Sequence, residues 1–211
     1  MANHVYNYIY LDKGNEAVEK EWNKLFTNYH EEVERPNFTG DGTLKMREYH
    51  EIQKHPFLEG YDEDDWYNWG CENIGAKWIE TEDWHEYGMS GHSAWSPPNP
   101  MVESLVQYIF DKVGGDVRAT MTYEDEFRNY IGKSEFWIED NQCEYDIEEI
   151  DGDELISTLE AWSGWDTSSD EFSWWDLTKV EALDGEFEPQ EVMDEMVYGF
   201  FDDGKVEVRH D

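Results

Sequence analysis

The sequence predicts an α+β fold: an antiparallel sheet with two helices crossing one face, followed by an acidic α/β extension. Two observations carry this. Up to residue 150 the periodic segments run strand, helix, strands, helix, strands. Aromatic residues make up 16% of a chain that is 32% charged, so apolar material for a core sits beside a strongly polar surface.

Val5, Ile9 and Leu11, with tyrosines between them, predict a first strand over 4–11. Asn15 can cap a helix running to about His30, with Val18, Trp22, Leu25 and Phe26 on its inner face. The glycines of Phe38–Thr43 predict a loop. Asp62–Glu72 reads as a short acidic helix and Lys77–Thr81 as a strand. Gly88–His92 reads as a flexible loop. Pro97-Pro98-Asn99-Pro100 leads into a helix over about 100–113, closed by Gly114-Gly115. Val117–Tyr123, Phe136–Glu139 and Cys143–Ile150 read as strands, the last two joined by an Asp140-Asn141 turn. This order matches a ferredoxin-like sandwich over 1–150. Residues 151–211 form the acidic extension, with a helix near 153–162, an irregular Trp-rich stretch, a helix near 189–198 and a hairpin turning at Asp203-Gly204.

Charge narrows the function. Fifty-two acidic residues face fifteen basic ones, a formal charge of −37. A generic binder of nucleic acid or anionic membranes needs Lys and Arg for phosphates, so direct nucleic-acid and membrane partners are not expected. Disorder is not expected either, given 11 Trp, 13 Tyr and 10 Phe. The excess is uneven: residues 124–211 hold 29 acids and 5 bases, and over 144–204 Lys179 is the single base among 21 acids. The opening Met1–Tyr6 has no basic or apolar leader, no apolar run approaches membrane length, and Cys71 and Cys143 do not make a disulfide framework. A cytoplasmic protein with two reduced thiols is expected.

Three motifs then stand out: Asn3-His4-Val5-x-Asn7; Trp69-Gly70-Cys71-Glu72-Asn73-Ile74-Gly75-Ala76-Lys77-Trp78; and Ala94-Trp95-Ser96-Pro97-Pro98-Asn99-Pro100. With Tyr123-Glu124-Asp125-Glu126 and Gly132, their order and spacing resemble the YubB-like ferredoxin-like domain family of phage and plasmid proteins. Ile74 and Ala76 stand where that family has Trp and Thr, and the extension lies outside the resemblance. The resemblance implies the fold and a mobile-element origin. It implies no reaction.

Catalytic patterns fail on inspection. Gly132-Lys133-Ser134 lacks the earlier P-loop glycine, since Phe127 stands there, and Lys45 occupies the third glycine position after Gly40 and Gly42. Gly88-Met89-Ser90-Gly91-His92 has His at the last glycine of a nucleophile elbow. His50, His55, His85 and His92 match no ligand spacing, and Asp62-Glu63-Asp64-Asp65 lacks the EF-hand glycine and distal glutamate, so no metal and no cofactor is expected. Carboxylates beside tryptophans, as in Trp165-Asp166 and Trp175-Asp176, are too common at this acidity to mark a glycosidase.

The remaining signal is the charge array. Carboxylates on alternate strand residues stand about 6.5–7 Å apart, comparable to phosphates along a DNA strand. Glu144, Asp146, Glu148, Glu149, Asp151, Asp153, Glu154, Asp166, Asp170, Glu171, Asp176, Glu186, Glu188, Glu191, Asp194 and Glu195 are the candidate partner-binding residues. The expected function is a phage-encoded, non-enzymatic DNA mimic that binds and inhibits a basic host DNA-binding or defence protein. The alternative is a small-ligand or peptide pocket lined by Trp69, Asn73, Lys77, Trp78, Trp95 and Ser96, with the acidity serving solubility or salt adaptation. These tryptophans are expected in the core, and Lys77, the only base between Lys54 and Lys112, beside a buried carboxylate.

Overall fold

A computed structural model describes residues 3–28, 30–36, 42–49, 52–85, 88–155, 157, 197, 200 and 201. Among the described residues these elements follow one another: β1 (His4–Lys13), α1 (Glu16–Asn28), β2 (His30–Pro36), β3 (Thr43–Tyr49), a 3₁₀ turn at Ile52–Lys54, α2 (Trp66–Asn73), β4 (Ile79–His85), β5 (Gly88–Ala94), α3 (Asn99–Val113), β6 (Arg118–Asp125), β7 (Tyr130–Glu139) and β8 (Gln142–Asp151). The fold is α+β, with a six-stranded antiparallel sheet in the order β4-β5-β1-β6-β7-β8 and a separate β2-β3 pair. The chain divides into two compact units, Met1–Met121 with Ser134–Asp146, and Thr122–Lys133 with Ile147–Asp211. Among the described residues no helix is long and apolar enough to cross a membrane.

In the first unit, β1 alternates strictly. Val5, Asn7, Ile9 and Leu11 are buried while Tyr6 and Tyr8 face outward. Antiparallel register sets Val5 against Ser93, Asn7 against Gly91 and Ile9 against Met89, so β5 buries the same face. Helix α1 packs against α3, contributing Val18, Trp22 and Leu25 to a core shared with Met101, Leu105 and Ile109 of α3. The rings of Trp22 and Trp84 lie 5.7 Å apart, and His55 stacks on Trp84 at 5.6 Å. Asn15 caps α1 as the sequence predicts: its Oδ1 accepts the Ala17 and Val18 N–H groups at 2.9 and 3.2 Å. In the second unit Tyr123, Ile131, Leu155, Val197 and Phe200 are buried.

Several boundaries move for identifiable reasons. Helix α2 begins at Trp66 rather than Asp62, because the Asp62 carboxylate accepts the Asp64 N–H and folds those residues into a turn. The expected strand over 77–81 starts and ends later, and that over 136–139 begins six residues earlier, at Tyr130. Strand β5 replaces the loop expected at Gly88–His92. The Cβ of an alanine at 91 would lie 2.2 Å from the Glu80 carbonyl oxygen, so Gly91 is what lets β4 approach. The β2-β3 pair is an addition. It sets Glu34 opposite Lys45 and Glu32 opposite Arg47, and its charged residues outnumber the apolar Val33, Leu44 and Met46. The Asp140-Asn141 turn takes φ of +50° and +69°, as a two-residue hairpin between β7 and β8 requires.

The expected loop at Phe38–Thr43 falls mostly outside the described residues. Beyond Asp151, positions 152–155 and 157 are helical, as expected near 153–162. The Trp-rich stretch, most of the helix expected over 189–198 and the hairpin at Asp203-Gly204 lie outside the described residues.

Candidate functional site

The three sequence motifs meet in the first unit through a chain of hydrogen bonds. Buried Asn7 donates from Nδ2 to the Val5 carbonyl at 2.7 Å and to Ser93 Oγ at 2.9 Å. Ser93 Oγ donates to the Ser96 carbonyl at 2.7 Å, and Ser96 Oγ donates to the Gly75 carbonyl at 2.6 Å. The Trp95 N–H donates to the Asn3 carbonyl at 3.0 Å and the Ala94 N–H to the Trp78 carbonyl at 3.0 Å. Segments far apart in sequence are thereby pinned to one junction between β1, β5 and the turns that lead into β4 and α3.

That junction displays Trp95. The residue has a φ of +73°, in the left-handed region that a bulky side chain rarely adopts. The residue is 47% exposed, so core burial does not account for the conformation. The hydrogen bonds on either side hold it there. Trp66 and Tyr67, at the start of α2, are also exposed. The Lys77 ammonium lies over all three rings, 5.1 Å from the Trp95 centroid, 5.6 Å from Trp66 and 5.9 Å from Tyr67. These are cation–π distances. The expected carboxylate partner is not there: among the described residues Lys77 forms no ion pair, and its charge rests on aromatic faces instead.

The other motif residues divide between scaffold and surface. Trp69 is buried as expected, donating from Nε1 to the Glu59 carbonyl at 3.0 Å, with Tyr61 edge-on at 5.1 Å. Asn73 donates to the Trp69 carbonyl at 2.9 Å. Trp78 is half-buried, and its ring meets His4 at 5.5 Å and His92 at 5.7 Å. His92 stacks on His4 at 4.8 Å and reaches Glu80 at 3.3 Å and Glu82 at 3.2 Å. Ser90 and His92 therefore share the outer face of β5, with the imidazole engaged by rings and carboxylates.

Asn73 also lines a cleft of about 670 Å³ with Phe57, Tyr108 and the carboxylates of Glu59, Glu72, Glu103 and Asp111. Desolvation, reinforced by Glu144, raises the Glu103 pKa above the usual carboxylate range. Cys143, in the same wall, is pushed up to about 12 by burial and by Glu103 and Glu144. A thiol so far from ionising is a poor nucleophile at neutral pH. Cys71 is exposed, and both thiols are free. Among the described residues no group of three or more His, Cys, Asp or Glu is placed to hold a metal ion.

Of the acidic candidates, Glu144 and Asp146 are exposed on β8 in the first unit. Glu148, Glu149, Asp151, Asp153 and Glu154 are exposed in the second. Glu149 accepts the Tyr123 hydroxyl at 3.0 Å. Asp166, Asp170, Glu171, Asp176, Glu186, Glu188, Glu191, Asp194 and Glu195 lie outside the described residues. Trp66 and Tyr67 are the site residues that sequence reasoning misses. Their adjacency at the exposed start of an acidic helix was the available signal.

No family model matches the chain, and no curated protein or solved structure matches it.

Proposed function

We propose that the chain is a non-enzymatic interaction protein that binds a basic partner through its carboxylates, in the manner of a DNA mimic. The observation that carries the reading is the uncompensated charge, −37 overall with 29 acids against 5 bases after residue 123. Lys24 with Glu21, Arg118 with Asp116 and Arg128 with Glu124 are short-range pairs within single segments. Glu144 and Glu148 on β8 are exposed and form no ion pair among the described residues. A surface with this field attracts cationic proteins and speeds their encounter.

The fold in this reading is ferredoxin-like. Strands β4-β5-β1-β6 have the order such a sheet requires, α1 and α3 occupy the two crossovers, and β7-β8 extend the β6 edge. The YubB-like motifs support a phage- or plasmid-borne origin, and with it a target in the host cytoplasm: a DNA-binding or defence protein.

The test is capture from host lysate on immobilised full-length protein. A basic protein should be retained at low salt and released both by high salt and by added duplex DNA. Changing Glu144, Asp146, Glu148 and Glu149 together to their amides should weaken capture and flatten its salt dependence. Retention that neither salt nor DNA disturbs would overturn the reading.

A further inference from the structure

We infer that Trp66, Tyr67 and Trp95 form a receiving site for a lysine side chain of the basic partner, and that Lys77 occupies this site in the free protein. The inference rests on the proposed basic partner and places one contact of that interaction in the first unit. The structure supplies its own stand-in for the ligand. An ammonium group sits 5.1–5.9 Å from three ring centroids, inside the distance at which a ring quadrupole attracts a cation. The three residues are 43–47% exposed, so an incoming side chain can reach them.

Two further observations argue for a ligand site rather than incidental packing. Trp95 is held at a φ of +73° by hydrogen bonds from its own N–H and its neighbours to two other segments, at Asn3 and at Gly75 and Trp78, and strain of that kind persists where the surroundings enforce it. Its ring is displayed, not buried, so the strain does not complete a core. The choice of cation follows from the field. In a chain of net charge −37, an anion is repelled from the surface and a cation is drawn to it. In the exchange the Lys77 ammonium leaves the rings for solvent, where it is strongly hydrated. An incoming lysine then replaces it ring for ring.

Calorimetric titration of the full chain with a heptalysine peptide tests this. Lys77→Met keeps most of the apolar stem and vacates the rings, so heptalysine should bind about 3–10-fold more tightly, the range of one cation–π contact at a partly exposed site. Lys24→Met removes the same charge elsewhere and measures the electrostatic part alone. Lys24 is an exposed lysine paired with Glu21. Adding Trp95→Leu or, independently, Trp66→Ala to Lys77→Met should abolish the gain. Trp66 has no strained backbone, so its variant guards against a folding defect at position 95. Equal gains from Lys77→Met and Lys24→Met, or a gain that survives both ring deletions, would overturn the assignment while leaving the basic-partner reading intact. If lysate capture finds no basic protein but Lys77→Met still tightens heptalysine binding in a ring-dependent way, the partner reading falls and the receiving site stands.

Discussion

Individual residues at the junction are set by space as much as by chemistry. Gly75 has a φ of +86°, and a Cβ there would lie 2.4 Å from Pro100 Cδ. Its carbonyl accepts the Ser96 hydroxyl, so the same residue meets α3 and anchors the turn that carries Trp95. Gly60 is the natural control: its φ is +71° with nothing within 4 Å of the position a Cβ would take. Gly60→Ala should therefore cost only the left-handed backbone, about 1–2 kcal/mol. Gly75→Ala should cost that plus the clash, about 2–4 kcal/mol in all. Urea denaturation of the two variants checks it. Equal losses would mean that Pro100 yields freely and that the contact does not fix the turn.

Secondary-structure elements were legible where their periodicity was apolar and obscure where glycine or charge replaced it. β1, α1 and α3 announce themselves through buried residues at strand or helix spacing, such as Val18, Trp22 and Leu25. β5 does not, because its inner face reads Met89, Gly91, Ser93 and depends on a close approach that no local pattern encodes. The β2-β3 pair is hidden by its charges. The aromatic site was half legible. Lys77 and Trp95 were candidates, but Trp66 and Tyr67, in a segment that reads as a short acidic helix, were not. β7 and β8 add a pH dependence that the sequence does not carry. Burial, with help from Asp125 and Glu149, raises Tyr130 from 10.0 to about 12, and Cys143 rises from 9.0 to about 12. Both groups are neutral when protonated, so the folded state favours the protonated form. Their contribution is complete below pH 9 for Cys143 and below pH 10 for Tyr130, and is lost as pH climbs through about 12. Cys143→Ala should therefore lose less stability than the parent chain between pH 9 and pH 12. Parallel melting curves for the two proteins across that range would contradict it.

At the scale of the whole molecule, charge works against compactness while aromatic burial works for it. The net charge of −37 is carried by 211 residues, so like charges lie well within a Debye length of one another at low salt. Unfolding spreads them, and the native state bears the larger repulsion. Raising ionic strength to a physiological level, where the Debye length is about 8 Å, screens much of that repulsion. The melting midpoint should rise with sodium chloride by about 2–8 °C, equivalent to about 1–2 kcal/mol for a chain of this size. Magnesium chloride at matched ionic strength separates two origins of the effect. Plain screening gives the same midpoint for both salts, whereas carboxylates that gather divalent ions give a further rise with magnesium. Calorimetric scans of the full chain in the two salts decide between them. A midpoint that stays flat or falls with sodium chloride would mean that the carboxylates are already compensated inside the fold. In that case the long-range field invoked for a basic partner is weaker than the sequence count implies, and the aromatic site over Lys77 would have to bind without its help.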